Sequence, residues 1–132
     1  MRLAGIAIFA MALPAVAHHS HGNYETETID LVGTVQKTLW VNPHTFIYLD
    51  VKDKSGKVTT WGLETNGPVT LTRLGITKDY IGNGDTIKVR CHPLRDGGNA
   101  CLLGWIQARD GTIKDWDGAR TMPVDDGFFD IR

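Results

Sequence analysis

Three histidines crowd one short stretch, His18-His19-Ser20-His21, directly after Ala15-Val16-Ala17 closes an apolar leader. A chain cut after Ala17 would begin at His18, and a terminal histidine offers one ion two nitrogens at once, its free α-amine and its own imidazole. One further imidazole would complete a T-shaped set of three nitrogens. Such a set suits Cu(II), Ni(II) and Zn(II), of which copper binds most tightly. His21 stands fourth from the expected terminus, one position too late for the square-planar site that uses a third-position histidine. The two remaining histidines sit beside prolines, His44 in Asn42-Pro43-His44 and His92 before Pro93. The candidate ligand set is therefore His18, His19, His21, His44 and His92. Copper is the expected ion, with nickel or zinc as substitutes.

Each of these residues also has a plainer reading. Leader junctions often carry polar residues, and a histidine-rich arm can bind metal without any purpose. The imidazole of an Asn-Pro-His turn can serve only to bond the backbone. Trp40 lies next to that turn and out of phase with the apolar positions around it. With Asn42 it forms a candidate ligand face, against a reading in which the arm or the carboxyl-terminal tail covers the indole. No Gly-x-Ser-x-Gly elbow, Cys-x-x-Cys pair or phosphate-cradling loop is present. Asp115-Trp116-Asp117-Gly118 opens like a calcium loop but lacks the later acidic ligand. The expectation is a module that binds and does not catalyse; a copper mono-oxygenase on the same chelate is disfavoured, because the chain offers no large flat aromatic surface.

The elements that would position these groups are short and extended. Ile29, Leu31, Val35, Leu39 and Val41 occupy alternate positions, the period of a half-buried strand, with Gly33 on the inward set marking a bend or bulge. Thr45 to Val51 and Val58 to Glu64 read as a hairpin about Lys54-Ser55-Gly56. Pro68 at a first helical position, Val69, Leu71 and Leu74 on one face, and Gly75 just beyond give a short helix. After the Asn83-Gly84-Asp85 turn, Ile87, Val89 and Cys91 alternate in a fourth strand; Cys101, Leu103 and Trp105 do so in a fifth. Pairing the last two about Asp96-Gly97-Gly98 sets Cys91 opposite Cys101, Val89 opposite Leu103 and Ile87 opposite Trp105, all on one side. That register supports a Cys91–Cys101 disulfide, the alternative being two buried thiols.

Three strands, a short helix and two strands, with a long first strand bent at glycine, describe a mainly β protein. The expected fold is a small five-stranded barrel of the oligonucleotide/oligosaccharide-binding (OB) type, with its one helix between strands three and four. A six-stranded meander or open sandwich is the rival, since Thr112 to Trp116 can add a strand. In the barrel, His44 and His92 fall in the two loops that flank the ligand face. The arm's reach is the difficulty: a first strand of Ile29 to Val41 covers about 40 Å, and residues 18–28 extend at most about 36–40 Å.

Arg2, the apolar run Leu3 to Leu13, Pro14 and the small-x-small site form a secretory leader. The run is well short of the roughly 20 residues a membrane-spanning helix needs. The expected organisation is a signal peptide over 1–17, a histidine-rich arm over 18–28, the barrel over 29–109 and an acidic extension over 110–132. The product would be periplasmic or secreted, with no membrane insertion once the leader is gone. Its two cysteines suit an oxidising compartment. A formal net charge of -1 gives no electrostatic footing for nucleic acid, and no polybasic segment invites anionic lipid. The expected partners are a metal ion and a periplasmic partner protein. The rival reading is an OB-like domain that binds a small ligand, a glycan or a protein, its histidines incidental.

Several segments together resemble a family of small exported bacterial proteins known only as a domain of unknown function. They are His18-His19-Ser20, Gly33-Thr34-Val35, Trp40-Val41-Asn42-Pro43-His44 with Tyr48-Leu49-Asp50-Val51, and Gly84-Asp85-Thr86-Ile87-Lys88-Val89. The resemblance runs from His18 to about Ile106 and implies export and the domain limits, but no activity. The chain departs from the pattern at Cys91, where the family has glycine, and in its acidic tail after Arg109. The disulfide is then a local feature of this chain.

Overall fold

The computed structural model describes residues 21–118. The leader, His18, His19 and the tail from residue 119 lie outside the described residues, as does the side chain of His21. A single 3-10 turn, His21–Asn23, precedes six strands and one helix: β1 Ile29–Leu39, β2 His44–Lys52, β3 Val58–Asn66, α1 Pro68–Arg73, β4 Thr86–Pro93, β5 Ala100–Gln107 and β6 Ile113–Asp115.

The sheet order is β3-β2-β1-β4-β5-β6, and β3 also pairs with β5 in parallel, which closes the first five strands into a barrel. This is the OB-like barrel, with its helix between β3 and β4. β6 does not open the barrel into a meander. It pairs with the second half of β5, at Trp105, Ile106 and Gln107, beyond the point where β3 has left that strand.

β1 serves two partners, which forces it to bend. Its first half pairs with β4 from Ile29↔Cys91 to Thr34↔Thr86, and its second half pairs with β2 from Thr34↔Asp50 onward. Gly33 stands at this bend. A Cβ there would lie 2.6 Å from the Asp50 carbonyl oxygen and 2.8 Å from Leu49 Cγ, so only glycine lets the strands approach this closely.

Alternation then builds the core. Ile47 and Leu49 of β2, Leu63 of β3, Ile87, Val89 and Cys91 of β4, and Cys101, Leu103 and Ile106 of β5 are buried. Their neighbours in sequence are more exposed, except at the end of β5, where Gln107 is buried beside Ile106. Leu71 of α1, with Ile76 and Ile81 after it, is buried in the same cluster. Pro68 opens the helix and Gly75 follows its cap at φ +74°, as the sequence predicts. Val69 departs from the predicted apolar face and is 57% exposed.

Two bulges correct the predicted phase. Pairing slips between Val35 and Lys37, so Gln36 is an extra residue on β1. Beyond it the inward set shifts by one: Leu39 and Val41 are exposed, and Trp40 packs against the core. On β5 the extra residue is Gly104, because Arg90 faces Trp105 while Cys91 faces Leu103. Cys91 is therefore opposite Leu103 and Cys101 opposite Pro93, and Ile106 rather than Trp105 turns into the core. The Cys91–Cys101 disulfide forms across this offset register.

The core continues past Arg109. Trp116 is fully buried, with its ring centroid 6.2 Å from Trp40 and 6.1 Å from Tyr80. Thr65 Oγ1 and Asn66 Nδ2 donate hydrogen bonds of 2.8 and 2.9 Å to the Trp116 carbonyl, and Asn66 Nδ2 donates another of 2.9 Å to that of Asp117. The end of β3 thus clips the chain over one end of the barrel.

Candidate functional site

The parallel β3–β5 seam sets four outward residues abreast. Phe46 pairs with Glu64, Glu64 with Leu102, and Leu102 with His92. His44, two residues before Phe46, shares its face of β2. The His44 Nδ1 proton goes to Glu64 Oε1 at 2.5 Å, each side chain being about one-quarter exposed. On the other carboxylate oxygen, Glu64 Oε2 accepts a 2.6 Å bond from the Tyr24 hydroxyl.

Tyr24 belongs to the arm, and the backbone explains how it arrives there. Residues 23–25 extend the β1–β4 ladder beyond the start of β1: Tyr24 bridges to Leu94, Glu25 N–H donates to the Pro93 carbonyl at 2.8 Å, and Arg95 N–H donates to that of Asn23 at 3.0 Å. From β4 the tyrosine reaches across β5 to β3. The path expected from the sequence ran the length of β1. The actual path crosses the barrel wall, because ring closure brings the end of β3 beside β5.

Burial raises the Tyr24 hydroxyl above its ordinary pKa, and the bond to Glu64 and that residue's charge push it further the same way. The tyrosine is a fixed proton donor. Glu64, held between a phenol and an imidazole, has both its oxygens engaged.

His44 and His92 sit in strands, not loops, and they do not converge. Three interstrand steps, roughly 14 Å along the sheet, separate β2 from β4 through β3 and β5. They line different cavities. One, of about 330 Å³, is bordered by Asn42, Pro43, His44, Asn66, Val69 and Thr70, beneath the cis Asn42-Pro43 peptide. The other, of about 250 Å³, is bordered by Tyr24, Glu25, Thr26, His92, Arg95 and Leu102. Asn42 shares the first cavity with His44. Trp40 lines neither, since it packs against Trp116.

Among the described residues no group of three histidine, cysteine or carboxylate side chains is placed to hold a metal ion. The Glu64 carboxylate at His44 Nδ1 places the ring proton there and the lone pair on Nε2. His18 and His19 lie outside the described residues. Glu64, Tyr24 and Arg95 escaped the sequence reading. Glu64 occupies an ordinary outward position of β3, and only the cross-barrel register makes it His44's partner.

No curated protein matches the chain. Among solved structures, the mitochondrial single-stranded DNA binding protein Rim1 from S. cerevisiae is similar, at a TM-score of 0.49 and 9% identity, over 63% of this chain and 93% of that one. Among the described residues no helix is long and apolar enough to cross a membrane. Residues 7–103, most of the chain, match the family of unknown function DUF6152, and the protein belongs to that family.

Proposed function

We propose that the protein is an exported metal-binding module that holds a copper ion between His44 and an amino-terminal histidine, His18. One observation carries the reading: Tyr24 of the arm and the His44 imidazole are bound to the two oxygens of a single carboxylate, Glu64. The six steps from His18 to Tyr24 span at most about 20 Å, shortened by the His21–Asn23 turn, and the proposal requires the terminus to return to Nε2 of His44 within that length. The carboxylate behind Nδ1 matches the outer-shell partner that orients metal-bound histidines and raises their basicity.

The donor set would be three nitrogens: the terminal amine, the His18 imidazole and His44 Nε2. Imidazole and amine donors favour copper over zinc and nickel at equal availability. The function is to carry or buffer the ion for a partner protein in the exported compartment, without a reaction of its own.

Copper titration of the processed protein tests this, beside a form with one extra residue before His18 and beside His44→Ala. The extra residue removes the chelate and leaves every side chain in place, so affinity is expected to fall at least tenfold. His44→Ala is expected to weaken binding comparably. Equal copper affinity with and without the added residue would falsify the amino-terminal chelate.

A further inference from the structure

We infer that the cavity beneath the arm, bordered by Tyr24, His92, Arg95 and Leu102, is a binding site for a small organic carboxylate with an apolar body. The inference is independent of the copper site. It rests on three features of the cavity.

The first is a pre-positioned guanidinium. Arg95 donates from its backbone N–H to the Asn23 carbonyl at 3.0 Å and from Nε to the Tyr24 carbonyl at 2.9 Å. Two main-chain bonds thus fix the fork against the arm. Among the described residues, nothing accepts a hydrogen bond from its two terminal nitrogens. Glu25 Oε2 forms an ion pair with Nε at 3.8 Å, too long for a hydrogen bond, and both side chains are about half exposed. A planar fork with paired donors fits a carboxylate in bidentate fashion.

The second feature is His92. Its Nδ1 is buried and has no hydrogen-bond partner among the described residues. A buried N–H without an acceptor is the rarer and costlier arrangement. The ring proton therefore belongs on Nε2, which makes His92 a second donor on the cavity wall.

The third is size and lining. About 250 Å³ is the volume share of roughly eight waters, enough for a single ring or a short chain. Leu102 and the Tyr24 ring supply apolar wall for such a body. Charge then selects among ligands. Among the described residues lining the cavity, Arg95 is the only fixed cation and Glu25 the only fixed anion, with Glu27 also in the field of Arg95, so a carboxylate gains from the cation and is opposed by the anions. A neutral analogue has neither term.

Benzoate and its neutral counterpart benzamide are suitable probes, titrated into the natively processed, ¹⁵N-labelled protein in the presence of EDTA. Benzoate at millimolar concentration is expected to shift the amides of residues 24–26, 92–95 and 102, and benzamide is not. Arg95→Gln should weaken benzoate at least fivefold, while Glu25→Gln should tighten it two- to threefold. The Glu25 variant tests the site without touching the arm's main-chain bonds, and amide dispersion reports that each variant is folded. Equal responses to the two probes, shifts scattered over other basic residues, or an unchanged affinity in both variants would overturn the assignment. EDTA removes copper, so failure here leaves the amino-terminal chelate standing, and failure of the chelate leaves this site standing.

Discussion

Trp116 buries its whole side chain against Trp40, with the ring centroids 6.2 Å apart and the planes tilted by 53°. The pair joins the residue just after β1 to a segment just after β6, so one end of the barrel is sealed by chain that the five-strand pattern alone would leave outside. Truncating Trp116 to alanine should cost about 3–5 kcal/mol, as for other large aromatic deletions from a core. Trp116→Phe should cost only about 1–2 kcal/mol, because among the described residues the indole Nε1 has no acceptor to lose. Urea unfolding of the two variants checks this. Similar midpoints for Trp116→Ala and the parent would mean that the segment merely lies on the surface.

Tyr24 ties the arm to Glu64, and its hydroxyl is raised by burial first and by Glu64 second. Below the ordinary tyrosine value of 10.0 the proton is present in both folded and unfolded chains, and the bond contributes fully. As pH rises above that value the unfolded chain ionises first, so stability falls until the folded hydroxyl itself loses its proton. Tyr24→Phe should therefore lower stability at neutral pH by about 1–2 kcal/mol and flatten the alkaline decline. Tyr80, also raised by burial, remains to give the residual slope. Denaturation between pH 8 and 11 measures both effects, and an unchanged alkaline slope in Tyr24→Phe would show that the hydroxyl is not held as described.

Much of the barrel is legible in the sequence because alternation survives wherever pairing is regular. β2 is the clear case, with Thr45, Ile47 and Leu49 in and His44, Phe46, Tyr48 and Asp50 out. Legibility fails at the bulges. Gln36 and Gly104 each add one residue to a strand, and a period of two then reads Leu39 and Trp105 as inward when Trp40 and Ile106 are. Gln36 carries no side-chain signature of a bulge, and Gly104 carries the same glycine signal that marks Gly33, which alternation alone does not weigh. The disulfide was readable despite the offset register, because two cysteines on facing strands tolerate a shift that individual apolar contacts do not. The site was half readable. His44 and Asn42 stand out by residue type and share a cavity, whereas Glu64 acquires its role only when β3 closes against β5.

The disulfide closes a short loop, with a sequence separation of 10 between Cys91 and Cys101. In the chain-entropy account such a loop contributes about 2–3 kcal/mol by restricting the unfolded chain. β4–β5 pairing does not depend on it, so reduction should lower the urea midpoint while leaving the folded amide spectrum dispersed. The urea slope should rise slightly on reduction, since the unlinked unfolded chain exposes more surface. Loss of dispersion on reduction would instead make the bridge a condition of folding.

Glycine positions give the sharpest test of the close approaches around the site. At Gly33 an added Cβ meets the Asp50 carbonyl oxygen at 2.6 Å, and at Gly67 it meets that of Pro43 at 2.4 Å. At Gly62, on the same strand as Glu64, an added Cβ meets nothing within 4 Å among the described residues. Gly33→Ala should therefore destabilise the barrel by about 1–3 kcal/mol through overpacking, and Gly62→Ala should be neutral or slightly stabilising. Gly67→Ala must displace the Asn42-Pro43 backbone, which carries His44 at its end. If His44 is a copper ligand, this variant should lose copper affinity out of proportion to its loss of stability, while Gly33→Ala should lose stability alone. Measuring urea midpoints and copper affinities on the three variants separates strain in the wall from strain at the site, and parallel losses in Gly33→Ala and Gly67→Ala would detach the turn from metal binding.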